Sequence, residues 1–204
     1  MAHAPSDDLL VCCYLPAGRA VESTPGVTAG PVLPLLAMGG SHTRPVALDG
    51  VLVPDDAVGA LLDRGSYLQA DALRTCDANP SAFGVVRGAI AELTVVAESR
   101  GDEAAAALAA SLADECRTLR ARAYACSDDA GETEERLALR ARSLELAVTA
   151  TTGVVVARAG TAMLTPSSAE RRAREALFLQ IQAQTAQTRA AQLKLAARNL
   201  DLLH

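Results

Sequence analysis

The sequence predicts an α+β fold that is mostly α, with a short antiparallel β-unit followed by an antiparallel four-helix bundle. Residues 1–58 are rich in Val and Leu and repeatedly interrupted by Pro and Gly, as in short strands joined by turns. From residue 59 onward Ala, Leu, Arg and Glu dominate, and apolar residues recur at helical spacing. We therefore predict a partial β-domain over 1–58 and a four-helix bundle over 59–204.

The β-unit is predicted from three segments. Leu9–Leu15 is a continuous apolar run that ends at a proline, which indicates a buried strand. Val27–Leu36 is broken by a glycine and two prolines, which indicates a weak or edge strand. Residues 43–53 turn at Asp49-Gly50, a dipeptide typical of a two-residue hairpin. A sheet of only three short strands has open edges, and we expect another chain or element to cover them.

The helical region divides into four amphipathic segments with short connections, the pattern of an antiparallel bundle. The first begins at Asn79-Pro80, where a capping Asn precedes a Pro in the first turn, and it ends at Gly101-Asp102. A turn at 127–131 ends the second, and Gly160 and Pro166 close the third. The apolar stripes are Phe83, Val86, Ile90, Leu93 and Ala97; then Leu108, Leu112, Cys116, Leu119 and Ala123; then Leu137, Ala141, Leu144, Val148 and Val155; and finally Ala186, Ala190, Leu193 and Ala197.

Composition excludes several classes of function. The chain has 204 residues, 50% of them hydrophobic, which is enough for one sizeable core. A net charge of −5 and only 2% aromatic residues argue against nucleic-acid binding, because phosphates attract basic surfaces and bases stack on rings. We expect no signal peptide, no membrane span and a cytoplasmic location. Five cysteines without CxxC spacing predict free, reduced thiols.

Histidine is too scarce for most catalytic or metal sites. The three histidines are His3, His42 and His204, so a bundle with Glu-x-x-His pairs is excluded and no metal site is expected. His42 is interpreted as a surface strand residue, because the chain lacks a Gly-x-Ser-x-Gly elbow. Nucleotide-binding glycine loops are also missing.

The charged side chains of the helical region are interpreted as solvated. Residues 170–175 are predicted to begin a helix with internal salt bridges, rather than to hold a phosphate. Glu92 and Glu98 lie off the apolar stripe of their helix and are predicted to face solvent. On residues alone, the chain has no visible catalytic constellation.

Three segments, in this order and spacing, resemble the acyl-CoA dehydrogenase family. Leu9–Gly26 is similar to a strand-and-proline segment late in that family's β-domain. Residues 33–59 contain Gly-Ser-x-Thr and Asp-Gly-Val-x-Val-Pro, which resemble the exit from that domain into the C-terminal helical bundle. Arg171–Arg189 resembles the approach to the last helix. The resemblance covers the end of the β-domain and the C-terminal bundle only.

The resemblance implies FAD as a cofactor and acyl thioesters as substrates. In the family a glutamate removes the α-proton while hydride passes to the flavin. Thr185 and Gln187 match the family's flavin-contacting Thr and Gln, and Gly160 matches the second glycine of a Gln-x-x-Gly-Gly segment. Ala183 stands in the glutamate position, and Asp77 is out of register with the alternative base. We therefore predict no catalytic residue in this chain.

Three hypotheses follow from the resemblance. The chain is a small subunit of a flavin-dependent acyl-CoA dehydrogenase, whose longer partner chain supplies the base and most of the FAD site. Alternatively, it is a non-catalytic helical-bundle assembly protein, in which Thr185 is only a helix cap. The third hypothesis is a reshaped pocket that binds a flavin or a thioester for another reaction. Association with itself or with the longer subunit is expected in the first two cases.

Overall fold

A computed structural model describes residues 8–15, 24–127 and 129–201 of the chain. The chain divides into two compact units, Met1–Asp71 and Ala72–His204. Among the described residues, four short strands lie in the first unit, and five of the six α-helices lie wholly in the second. The predicted fold class, α+β and mostly α, is confirmed.

The strands form two antiparallel pairs rather than the predicted hairpin. Strand β1 (Leu9–Cys13) pairs with β4 (Val58–Asp63), and β2 (Val27–Ala29) pairs with β3 (Val46–Leu48). The prediction of a hairpin that turns at Asp49-Gly50 was therefore wrong. The Asp49 N–H continues the β2–β3 ladder by donating to the Gly26 carbonyl at 2.8 Å. The described residues between Gly50 and β4 belong to neither strand pair.

Strand β1 forms as predicted, but it is not buried. Its first three residues are half-buried, Cys12 and Cys13 are exposed, and Tyr14 is 78% exposed. The ladder register shifts between the two cysteines. Among the described residues, strand β1 pairs on one side only. Its apolar sequence therefore did not mean that the strand is buried. Strand β2 is a short edge strand, and β4 extends past residue 58 into the region predicted to be helical.

Six α-helices follow the strands: α1 (Arg64–Arg74), α2 (Pro80–Arg100), α3 (Glu103–Ala125), α4 (Thr133–Arg158), α5 (Ser168–Leu179) and α6 (Ala186–Asp201). The Asn79 side chain caps α2 by accepting from the Ser81 N–H at 2.9 Å. Gly101 ends α2 at φ 65°, a conformation that favours glycine, and Asp102 caps α3. Both predicted boundaries are thus confirmed.

Helix α4 is central to the bundle and packs against α2, α3, α5 and α6. It is therefore buried on several sides, and its most buried apolar residues include Leu139, Leu144, Ala147 and Val154. Leu137 and Val148 of the predicted stripe are only half-buried. Helix α5 was not predicted as a separate segment. It packs against α2 and α4, so three long helices and two shorter ones build this unit.

Two helical segments, Pro80–Arg100 and Thr133–Met163, are long and apolar enough to cross a membrane by length and composition alone. The expectation of no membrane span stays a prediction, because length and composition alone do not place a helix in a membrane. Helices α2 and α4 pack against each other here, and their buried residues belong to one core. Core helices of soluble proteins pass the same test of length and composition.

Candidate functional site

The predicted flavin residues Thr185 and Gln187 lie where a turn leads into α6. Helix α5 ends at Leu179, and α6 begins at Ala186. The Thr188 N–H donates to the Thr185 hydroxyl at 3.3 Å, and the Thr185 N–H donates to the Thr188 hydroxyl at 2.8 Å. Each threonine thus satisfies an N–H of the other at the helix start. The Thr185 hydroxyl already has this structural use.

Arg140 and Asn79 hold the turn in place. The Arg140 guanidinium on α4 donates to the Gln182 carbonyl at 2.8 Å and to the Asp77 carbonyl at 3.0 Å. The Asn79 side-chain amide donates to Gln182 Oε1 at 2.9 Å. We call these four residues, Arg140, Asp77, Asn79 and Gln182, the Arg140 clamp. It joins α4, the start of α2 and the turn before α6.

The Arg140 charge is buried without a carboxylate in hydrogen-bonding contact. The residue is 5% exposed, and its Nε has no partner among the described residues. Burial lowers the pKa of this guanidinium, with Cys76 and Asp77 opposing that effect. Burial also raises the pKa of the Cys76 thiol, against the positive charges of Arg136 and Arg140. Cys76 is therefore a buried neutral thiol rather than a nucleophile.

The turn carries no group that could act as a general base. The Asp77 carboxylate pairs with Arg136 at 2.8 Å, and the buried Arg136 also donates to backbone carbonyls. Ala183 lies in the turn at φ 49°, a left-handed conformation that is unfavourable for alanine. Its methyl group accepts no proton. Proton abstraction at this turn would therefore need a group from elsewhere.

Gln187 lies at one end of an apolar groove between α4 and α6. The groove has a volume of about 380 Å³, and small residues such as Ala138, Ala141 and Ala190 line it. Lys194 and Arg198 lie farther along α6 on the same groove. Gln187 is exposed, and its Oε1 lies 3.9 Å from Cys76 Sγ. Its amide remains accessible to a ligand.

The sequence matches no protein-family model and no curated protein. Among solved structures, it matches butyryl-CoA dehydrogenase from Megasphaera elsdenii over 90% of this chain and 50% of the other, with a TM-score of 0.62 and 18% identity. This chain has the fold of the acyl-CoA dehydrogenases. The predicted resemblance is confirmed at the level of fold.

Two further solved structures are similar to this chain. One, from work on the electron transferring flavoprotein of Acidaminococcus fermentans, matches 96% of this chain and 58% of that chain, with a TM-score of 0.64 and 18% identity. The other is KijD3 in complex with FMN and a dTDP-linked sugar, matching 88% and 49%, with a TM-score of 0.60 and 19% identity. The chain thus spans about half the length of the structures that it matches.

The three predicted flavin residues do not converge within this acyl-CoA dehydrogenase-like chain. Gln187 lies beside Ala141 near the start of α4, whereas Gly160 follows the other end of that helix. The helix from Ala141 to Arg158 alone spans roughly 25 Å. A Cβ built on Gly160 would meet nothing within 4 Å, so no close approach requires glycine there. These residues alone therefore do not form a complete FAD site.

Sequence reasoning missed a buried ionic cluster on α2. Glu92 is 7% exposed, so the prediction that it faces solvent was wrong, whereas Glu98 is exposed. The Glu92 carboxylate accepts hydrogen bonds from Ser168 Oγ at 2.6 Å, Arg158 Nε at 3.0 Å and Arg172 Nε at 3.1 Å. We call these four residues the Glu92 cluster. It joins α2 to the end of α4 and to α5.

Burial alone would raise the pKa of Glu92, but the hydrogen bonds from Ser168 and Arg172 and the Arg158 charge lower it below its ordinary value. The glycine at position 88 accommodates Arg172, since a Cβ there would lie 2.1 Å from its guanidinium nitrogen. The cluster is fully used in holding helices together. It has no free acid or base for catalysis.

A helical-spacing argument could have found both clusters. Glu92 follows the buried Ala89 by three residues and precedes the buried Val96 by four, which places all three on one face. Arg136 and Arg140 are four residues apart on α4 and share a face in the same way. Each was overlooked because a charged residue was assumed to leave the core, although a paired charge can stay there.

Most of the charged residues between 170 and 175 pair within their own helix. Arg171 pairs with Glu175, and Arg174 pairs with Glu170 at 2.6 Å, so the salt bridges within 170–175 are confirmed. His42 is exposed at the end of a short 3-10 turn, so placing it in a strand was wrong. All five cysteines are free. The described residues contain no group of three potential metal ligands.

Proposed function

We propose that this chain is a small subunit of a flavin-dependent oxidoreductase that acts on the CH–CH bond of acyl thioesters. The observation that carries the proposal is the acyl-CoA dehydrogenase fold, which extends over about nine-tenths of the chain. Fold alone does not define a reaction. The assignment therefore also depends on which parts of a site this chain retains and which it lacks.

The retained part is the edge formed by Thr185 and Gln187, and the missing part is the base. Gln187 presents an accessible amide, and the Arg140 clamp fixes the turn that precedes it. Ala183 occupies the glutamate position of the family. A longer acyl-CoA dehydrogenase subunit would supply the glutamate, the remaining β-strands and most of the FAD site. In a second form of the proposal, another copy of this chain is the partner instead of a longer subunit.

The open strands of the first unit support a partner chain. Each of the two sheets described has only two strands, and pairs of this size are marginal by themselves. Leu48, Leu52 and Leu61 are more than half exposed in or near these strands. Strands from a second chain would cover such edges and apolar side chains.

Titration of the purified chain with FAD tests this proposal. We expect weak, saturable quenching of flavin fluorescence, because one edge of the site is present. Gln187→Ala removes the accessible amide and should weaken this binding, and Thr185→Ala should weaken it as well. Gln69→Ala is the matched control, since Gln69 is an exposed amide on α1. Far-UV circular dichroism would show that each variant is folded.

The outcomes separate the parts of the proposal. FAD binding that depends on Gln187 and not on Gln69 supports a contribution of this edge to a flavin site. Binding that is insensitive to both Gln187→Ala and Thr185→Ala contradicts the residue assignment. If the purified chain shows no saturable FAD binding at all, a flavin site formed by this chain or by its homo-oligomer is contradicted.

A non-catalytic assembly protein is the second candidate. The observation that favours it is the reciprocal cap between Thr185 and Thr188, which explains Thr185 without a flavin. Loss of helix stability in Thr185→Ala, with no FAD binding in the parent chain, would support this candidate. For either function we propose a reducing cytoplasmic setting, supported by the five free cysteines.

A further inference from the structure

A groove between α2 and α3, away from the turn before α6, brings together three arginines. Arg87 of α2 and Arg117 and Arg120 of α3 line it, and the buried Cys116 lies on its floor. Its volume is about 310 Å³, which is in the range of sites for small molecules. The chain as a whole is acidic, so this concentration of positive charge is local.

Two of the three guanidiniums have no carboxylate partner among the described residues. Arg87 has no hydrogen bond or ion pair to any residue in the described ranges. Arg120 lies over the Tyr124 ring, with its Cζ 5.3 Å from the ring centroid. Arg117 pairs with Asp114 at 3.0 Å, but both side chains are about three-quarters exposed, so that pair is weak.

Arg87 and Arg120 line the groove from its two helices. The positive charges of Arg120 and Arg87 both act on the Cys116 thiol, where they oppose the burial that raises its pKa. Two positive charges that line one groove repel each other, and an anion bound beside both would relieve that repulsion. Arg120 is also preorganised, because Tyr124 packs edge-on against the buried Phe83 with a centroid distance of 6.0 Å.

The rest of the groove is apolar. Ile90 and Ala91 of α2 and Ala113 of α3 form its wall beside the arginines. A ligand that satisfies both parts needs an oxyanion for the guanidiniums and a compact apolar group for the wall. Guanidiniums bind phosphate oxygens through paired hydrogen bonds, which favours phosphate over a simple halide. A protein partner would need a far larger surface than this groove offers.

We propose that the α2–α3 groove binds a phosphate monoester, with Arg87 and Arg120 on the phosphate and Ile90, Ala91 and Ala113 against its apolar group. The site is independent of the function proposed above. It shares no residue with the turn that carries Thr185 and Gln187.

Calorimetric titration of the full chain with phenyl phosphate tests the site, in a phosphate-free buffer of low ionic strength. We expect one saturable site, tighter binding than for inorganic phosphate and no binding of benzyl alcohol. Arg87→Gln and Arg120→Gln should each weaken phenyl phosphate binding about tenfold, because each removes charged hydrogen bonds to the phosphate. Arg171→Gln is the matched control, since it removes the same charge from an exposed position on α5.

Ala91→Glu provides a second variant with an exposed substitution. It places a carboxylate beside the arginines and should abolish binding while the helix, which tolerates Glu well, stays folded. The site is overturned if phenyl phosphate does not bind saturably. It is equally overturned if Arg171→Gln weakens binding as much as Arg87→Gln does, or if inorganic phosphate binds as tightly as phenyl phosphate.

Discussion

The Glu92 cluster and the Arg140 clamp both bury one charge inside the same helical unit, but they stabilise it differently. Glu92 receives two guanidiniums and a hydroxyl, so full opposite charges face it. Arg140 donates to two backbone carbonyls, and its Nε has no hydrogen-bond partner among the described residues. The first arrangement joins rigid helices. The second holds a turn, and it is the less completely satisfied of the two.

Replacing Glu92 should have the largest effect on stability. Glu92→Gln leaves Arg158 and Arg172 without their carboxylate, and we expect a loss of about 3 kcal/mol in the free energy of unfolding. Urea denaturation would measure it. Glu98→Gln on the same helix is the control and should change stability by less than about 0.5 kcal/mol, because Glu98 is exposed. Equal effects of the two substitutions would contradict the cluster's role.

The Glu92 contribution should depend on pH in a defined direction. The pKa of Glu92 is lowered in the folded chain, so the unfolded chain binds a proton more readily. The contribution is complete above the ordinary glutamate pKa of 4.5 and is lost as the pH falls below it through the lowered folded value. The stability gap between the parent chain and Glu92→Gln should therefore narrow in acid. A gap that widens in acid would refute the ion-pair interpretation.

Replacing Arg140 should have a smaller effect on stability but a local effect on the turn. Arg140→Met removes two hydrogen bonds and also a buried charge, so we expect a net loss of about 1–2 kcal/mol. Hydrogen exchange at residues 181–188 should become faster than in the rest of the bundle. Arg189→Met, at an exposed position on α6, is the control and should change neither quantity. Uniformly faster exchange would argue against a specific hold on the turn.

The smallest effect should come from relieving the backbone of the turn itself. Ala183 is exposed and has a φ of 49°, which glycine adopts at less cost. Ala183→Gly should therefore raise stability by about 0.5 kcal/mol. Ala190→Gly, within α6, should lower it by about 1 kcal/mol. Thermal unfolding of the two variants would compare them, and destabilisation by both would rule out strain at Ala183.

The sequence by itself determined the fold class, most of the apolar stripes of α2 and α3, and the boundary between these two helices. The stripe predicted for the last helix was wrong, because its residues Ala186, Ala190, Leu193 and Ala197 are all exposed. Asn79-Pro80 and Gly101-Asp102 end or begin helices through bonds to residues within a few positions, so their effect is local and readable. The same locality explains the confirmed salt bridges between 170 and 175.

Only the tertiary structure decided which distant elements meet. Strand β3 pairs with β2, which precedes it in the chain, although Asp49-Gly50 favoured a hairpin with the residues that follow. Glu92 remains in the core because Arg158 and Arg172 reach it from helices 66 and 80 residues away in sequence. Gly160 lies a helix length from Gln187, although both were predicted to contact one flavin. Periodicity tells which face of a helix is apolar, whereas pairing across helices depends on how those faces pack.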